Sequence, residues 1–141
     1  MKIYFAGPLF SAAEQAWNAA LAAALRAAGH EVFLPQEKEQ GKPAAGIFAA
    51  DVAGIDAADV LVAIMDGPDP DAGTAWECGY AYGRKPVLLV RTDFRTRAGS
   101  EAPYNVMLSE SASRRLNLPG ASMAEVTAAV LDALRGLEVR R

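Results

Sequence analysis

The chain has almost no cysteine or histidine, the residues on which thiolate and imidazole chemistry depends. One of its 141 residues is cysteine and one is histidine. An internal disulfide is therefore impossible, a multi-cysteine metal centre is excluded, and imidazole chemistry has His30 as its single candidate. Although 52% of the residues are apolar, no run reaches the ~18 to 20 apolar residues that a membrane span needs, so a soluble globular protein is expected, with no membrane partner. A formal net charge of −3 gives no electrostatic reason to expect nucleic acid as a partner. The expected ligand is small. Met1-Lys2-Ile3-Tyr4-Phe5 enters a strand pattern directly, without the n-region, h-region and cleavage site of a signal peptide, which sets the expectation of a cytoplasmic protein. The length suits one domain over residues 1–141, large enough to bury its own core.

What the chain does have is a repeating alternation. Short apolar runs at Ile3 to Ala6, Val32 to Leu34, Val60 to Met65 and Val87 to Val90 are separated by helical patterns. That order predicts βαβ units and a single-domain flavodoxin-like or Rossmann-like α/β fold, a parallel sheet flanked by helices on both faces. Ser11 with Glu14 forms a capping box at the start of the first helix, and Gly29 is placed to end it in a left-handed conformation. Ser122 with Glu125 repeats the box before a last helix running through Val126, Val130, Leu131 and Leu134. Arg91 to Pro103 reads as a polar, glycine-containing loop.

Two carboxylates stand out. Asp51 lies within the helical stripe of Ile47, Phe48, Val52 and Ile55, where burial would raise its pKa and suit it to general acid work. A structural reading stays open, with Asp51 at the stripe's edge reaching water or a helix terminus. Glu77 follows the apolar run Val60 to Met65 in the stretch Asp71-Ala72-Gly73-Thr74-Ala75-Trp76-Glu77-Cys78-Gly79-Tyr80-Ala81. A strand, a loop and a helix in that order put Glu77 at the carboxyl edge of the sheet, where open α/β folds bind ligands. Its structural alternative is a T-x-x-E capping box with Thr74. A place in the first helical turn would also favour its ionised form. Asp71 alone suits a helix cap or turn. Two carboxylates with different pKa values match the chemistry that breaks glycosidic bonds.

The chain resembles the nucleoside 2-deoxyribosyltransferase family from Lys2 to about Ser109. The resemblance is carried by Ile3-Tyr4-Phe5-Ala6-Gly7-Pro8, by Asp51-Val52-Ala53-Gly54-Ile55 leading into Ala58-Asp59-Val60, by the Asp71 to Ala81 stretch, and by Asn105-Val106-Met107. It implies that Glu77 is the nucleophile, forming a covalent 2-deoxyribosyl-enzyme. Asp51 would be the proton donor to the departing base, Tyr4 would orient the nucleophile, and Asp71 would hold sugar hydroxyls. It also implies that Asn105, with Met107 close by, completes the site of a neighbouring subunit in a homo-oligomer. Gly7 and Phe10 fall beside the base pocket, and Gln36, with Gln40 in reserve, matches a base-contacting glutamine. The implied substrates are a deoxynucleoside and a free nucleobase. No metal or organic cofactor is required, because the sugar is stored on the protein.

Related activities leave alternatives. Gly73-Thr74 and Glu77 fit the G-T-x-x-E of cytokinin-activating phosphoribohydrolases, but the Gly-Gly pair those enzymes carry ahead of it is missing. A 2′-deoxynucleoside 5′-monophosphate N-glycosidase binds phosphate with a first loop of glycines, serine and arginine. Here Gly7-Pro8-Leu9-Phe10-Ser11 has one glycine and no base, which favours a free nucleoside. Arg95, Arg97, Arg114 and Arg115 keep the nucleotide reading open. A nucleotide-sensing module without activity is a further alternative, although binding alone does not need a nucleophile. His30 and Arg84-Lys85 read as solvated turns, Cys78 as a small buried residue, and Trp17 and Trp76 as core.

Overall fold

The computed structural model describes residues 1–38, 40–93 and 104–138. Strands β1 (Lys2–Ala6), β2 (Glu31–Phe33), β3 (Val60–Ile64), β4 (Val87–Arg91) and β5 (Arg114–Asn117) alternate with helices α1 (Ala12–Ala27), α2 (Ala44–Ala57), α3 (Ala72–Ala81), α4 (Val106–Ser111) and α5 (Met123–Glu138). The strands pair in parallel in the order β2-β1-β3-β4-β5. This is the doubly wound arrangement, with its topological switch between β1 and β3. The apolar runs predicted as strands are the four inner and flanking members, and every residue of β3 and β4 is buried, as a sheet covered on both faces requires.

Strand alternation decides which side chain meets which helix. Ile3, Phe5, Val60, Val62 and Ile64 face α1 and α5, packing on Leu21, Leu25, Val126, Val130 and Leu134. Tyr4, Ala6, Leu61, Ala63 and Met65 face the other way, against Ile55 of α2 and Cys78 and Ala81 of α3. Tyr4 is thus delivered to the α2–α3 side by the two-residue period of its strand. Both predicted capping boxes form: Ser11 Oγ accepts from the Glu14 amide at 3.2 Å while Glu14 accepts from the Ser11 amide at 2.7 Å, and Ser122 with Glu125 repeats the exchange. Gly29 ends α1 with φ at +91°.

Two expectations are corrected. Arg114 and Arg115, candidates for phosphate binding, lie in β5 at the edge of the sheet. Arg115 there pairs with Glu110 at 3.2 Å, and Arg114 lies against Gly136 of α5. The charge that obscured this strand in the sequence is what an edge strand carries to discourage pairing with other chains. Arg84-Lys85 is more than a solvated turn. The Lys85 ammonium donates to the carbonyls of Ile55, Asp56 and Ala58, closing the carboxyl end of α2 where a cation is favoured. Arg84 lies 4.0 Å from the centre of the Tyr80 ring.

At the carboxyl edge of the sheet, buried Arg91 ties β4 to the chain leaving β3. Its guanidinium donates to Met65 O at 3.1 Å and Gly67 O at 3.0 Å, and it sits 5.7 Å from the centre of the Tyr104 ring. Next to it, Asp66 accepts from the amides of Thr92 and Asp93 at 2.6 and 2.9 Å. Replacing Arg91 by Met strands two inward carbonyls. The expected outcome is a loss of about 2 to 3 kcal/mol in urea-unfolding free energy, with the m-value unchanged.

Candidate active site

The site is built from β1, α2 and α3 where they meet at the carboxyl edge of the sheet. Tyr4 is fully buried, and its ring stacks on Phe33 with centroids 5.3 Å apart. Phe33 is in turn pressed by α2 at Gly54, where a Cβ would lie 3.0 Å from several carbons of the Phe33 ring. A glycine is therefore needed for α2 to lie this close to the sheet. Asp51 is three positions earlier in that helix, about one turn away.

Helix α3 starts at Asp71, whose Oδ2 accepts from the Thr74 amide at 2.8 Å and from the Thr74 hydroxyl at 3.1 Å. This rules out the alternative reading of a Thr74–Glu77 capping box: Thr74 lies inside the helix, and Asp71 is the cap. Glu77 falls in the second turn of Ala72–Ala81, beyond the end of the helix where the dipole favours an anion most. Released from capping, its Oε1 accepts the Tyr4 hydroxyl at 2.5 Å.

Asp51 and Glu77 both line two adjoining cavities. One, of about 460 Å³, is walled by Ile47, Phe48, Val52 and Trp76. The other, of about 270 Å³, is bounded by Gly7, Phe10, Asp71 and Thr74. The first is apolar apart from its carboxylates, and the second collects the polar groups. Asp51 Oδ1 is buried and has no hydrogen-bond partner among the described residues. Burial raises the Asp51 carboxyl from its ordinary value, opposed by the Tyr4 hydroxyl and by the positive charge of Lys42. The Tyr4 phenol is held far above its ordinary value, first by burial and then by the negative charges of Glu77 and Asp51. Tyr4 is a hydrogen-bond donor in this site, not an acid.

Other candidates have mixed fates. Phe10 is 77% exposed at the mouth of the smaller cavity, and Gly7 closes on Ile64, whose Cβ would be 3.2 Å from an added side chain. Gln36 is occupied elsewhere, donating to Gln15 O at 2.9 Å and accepting from Asn18 at 3.3 Å. It lines neither cavity. Gln40 is exposed in the turn before α2. Asn105 caps α4, its Oδ1 accepting from the Met107 amide at 2.8 Å. Met107 lines a separate groove between α3 and α4 with Tyr82, and neither residue lines the cavities shared by Asp51 and Glu77. Arg95 and Arg97, with most of the Arg91 to Pro103 loop, lie outside the described residues. His30 sits in its turn with Nδ1 3.4 Å from the amino terminus, away from the site. Cys78 is buried as expected, its thiol pushed up to about 12 by burial and by the charge of Glu77.

Trp17 is half-buried and packs on the core as predicted. Trp76 does not. It is 48% exposed, stacks on Tyr80 at 5.2 Å, and tilts against Phe48 at 5.6 Å, forming the wall of the larger cavity. Its position next to Glu77 in the sequence was the available signal. Phe33 and Gly54 left no chemical signal of their own, because their part is to set the height of α2. Among the described residues no group of three or more His, Cys, Asp or Glu side chains is arranged to hold a metal ion, and no helix is long and apolar enough to cross a membrane.

Fold and site together define an α/β protein that presents two carboxylates and a buried tyrosine at the carboxyl edge of a parallel sheet. The chain belongs to the nucleoside 2-deoxyribosyltransferase family, whose model matches residues 3–118. A structure described as a conserved protein from Enterococcus faecalis V583 is similar at 31% identity and TM-score 0.74, the match covering 94% of this chain and 98% of that one. A 2-deoxyribosyltransferase from Bacillus psychrosaccharolyticus is 29% identical with TM-score 0.71, covering 90% of each chain. The fold is also that of a CMP N-glycosidase from Clostridium botulinum, at 16% identity and TM-score 0.67, with 93% of this chain and 98% of that one covered. No curated protein matches in sequence.

The Asp51 environment makes a prediction about stability. A carboxyl raised in the folded state loses stability as pH climbs from its unfolded to its folded pKa, and the loss is complete above both. Asp51→Asn removes that loss. The variant should therefore gain in melting temperature relative to the parent at pH 7 and not at pH 3, as scanning calorimetry at the two values would record. Gly54→Ala should keep the circular dichroism spectrum and lower turnover by about tenfold or more, because α2 must lift off Phe33 and carry Asp51 with it.

Proposed function

We propose that this protein transfers 2-deoxyribose between nucleobases by a retaining double displacement. The observation that carries the reading is the Tyr4–Glu77 hydrogen bond of 2.5 Å together with a buried Asp51 oxygen that has no partner among the described residues, both carboxylates lining the same cavities. A carboxylate fixed by a rigid donor is oriented for attack. Burial shifts the other carboxyl toward its protonated form, the form that can give a proton. In the first half-reaction Glu77 attacks C1′ and the N-glycosidic bond breaks, while Asp51 gives its proton to the departing base. In the second, a new base attacks C1′ from the face the first one left, Asp51 takes back a proton, and Glu77 is freed. Two inversions return the original configuration.

The polar rim of the smaller cavity suits the sugar. Asp71 uses Oδ2 to cap α3 and lines the smaller cavity; in this reading its other oxygen accepts from a sugar hydroxyl. Phe10 and Gly7 border the base. Gln36, held by Gln15 and Asn18, would act on a base only after exchanging those partners. Asn105 and Met107, exposed on α4, would serve the site of a neighbouring copy in a homo-oligomer. Among the described residues no lysine or arginine lines either cavity, which supports a free nucleoside over a nucleoside monophosphate. Whether the sugar ends on a base or on water depends on how far the occupied site excludes water.

Chromatography of the protein with deoxyinosine and adenine tests the reaction. Deoxyadenosine and hypoxanthine are the expected products. Free base released only from a deoxynucleoside monophosphate would make this an N-glycosidase instead. Glu77→Ala should keep the fold and reduce base exchange by about 1000-fold or more; near-normal exchange in that variant would overturn the mechanism.

A further inference from the structure

The two carboxylates of the site ride on different helices, and the ends of both helices meet at Lys85. Its main-chain amide donates to Ala81 O at 3.2 Å, at the end of α3. Its ammonium donates to Ile55 O, to Asp56 O at 3.1 Å and to Ala58 O at 2.8 Å, at the end of α2. An ammonium has three protons to give, and each of them has a carbonyl of the same helix end. Those carbonyls fall where a helix has run out of amides to pair with them.

The spacing on the two helices is the same. Ala81 is four residues beyond Glu77 and Ile55 four residues beyond Asp51, in each case about one helical turn. Lys85 thus joins α2 to α3 one turn past each carboxylate. A second link lies beside it, where the Tyr80 hydroxyl of α3 donates to the Asp56 carboxylate of α2 at 3.1 Å. The lysine is itself held by the sheet: Pro86 O accepts from the Leu61 amide of β3 at 3.0 Å, and β4 starts at Val87.

Building on the roles given above to Asp51 and Glu77, we propose that Lys85 is a positioning residue that sets the place of the proton donor relative to the nucleophile. Gly54 fixes how near α2 lies to the sheet, but contact with a flat ring leaves the helix free to slide along its axis. Three carbonyls meet one nitrogen at a single axial position. A slide by one residue's rise, about 1.5 Å, would break that meeting and carry Asp51 equally far from the base nitrogen its proton must reach. A misplacement of about 1 Å can cost on the order of 100-fold in rate. Lys85 lines neither cavity, so it acts through Asp51 and does not touch the substrate.

The test compares two leaving groups. The base of deoxyinosine needs the Asp51 proton to depart, whereas the base of 7-methyl-2′-deoxyguanosine already carries its positive charge and needs none. Release of base in the first turnover is timed by rapid quench for the parent, Lys85→Met and Lys85→Arg, with circular dichroism as the check on folding. In Lys85→Met the rate from deoxyinosine should fall about tenfold or more, its half-saturating concentration staying within about twofold, and the rate from 7-methyl-2′-deoxyguanosine should fall by less than about threefold. Lys85→Arg keeps a cation at the helix end, but its planar fork cannot bring three donors to one point. It should show the same split between donors at smaller size, and it decides the matter alone should Lys85→Met not fold. Equal losses from both donors, or no loss from either, would overturn the proposal, because a lysine that only stabilises the fold has no means of telling two leaving groups apart. Failure of the unaltered protein to release base from deoxyinosine would instead remove the reading on which the proposal rests.

Discussion

The hydrogen bond between the Tyr4 hydroxyl and Glu77 joins the first strand to the third helix, 73 residues apart in the chain. Its short length rests on a chain of contacts that hold the phenol rigid. Strand alternation turns Tyr4 toward α2 and α3, the Phe33 ring packs against it, and the bare backbone of Gly54 lets α2 close over both. No single contact is strong. Together they hold the phenol oxygen against Glu77.

The two carboxylates differ because their surroundings differ. Glu77 has a fixed donor at 2.5 Å, while Asp51 lies among Ile47, Phe48 and Val52 with one oxygen unpartnered among the described residues. Burial raises the Asp51 carboxyl, and the Tyr4 hydroxyl and Lys42 offset part of that rise. A carboxyl raised in this way costs stability where it ionises.

Much of this was legible in the chain. The inner strands are continuous apolar runs because both faces of the sheet are covered, and the α1 and α5 boxes are local patterns that need no tertiary context. Asp51 could be picked out as an acid in an apolar stripe for the same reason: period alone reveals it. Other features depend on contacts between distant segments. Thr74-x-x-Glu77 has the form of a capping box, yet Asp71 takes the cap and frees Glu77 for Tyr4. Lys85 resembles any surface lysine until the end of α2 arrives beside it. β5 hides behind two arginines because it lies at the edge, and Trp76 looked like core because an aromatic wall and an aromatic core are written with the same letters.

The helix that carries Asp51 is fastened unevenly. Its carboxyl end is held by Lys85 on three carbonyls, whereas its amino end follows Pro43 with no side-chain cap. Local opening starts where such fastening is weakest. In α2 that end holds Ala44, Ile47 and Phe48, the threshold of the larger cavity, with Asp51 nearer the anchored half. Opening of α2 is therefore expected to begin on the cavity side, while the Lys85 anchor keeps the end beyond Asp51 in place.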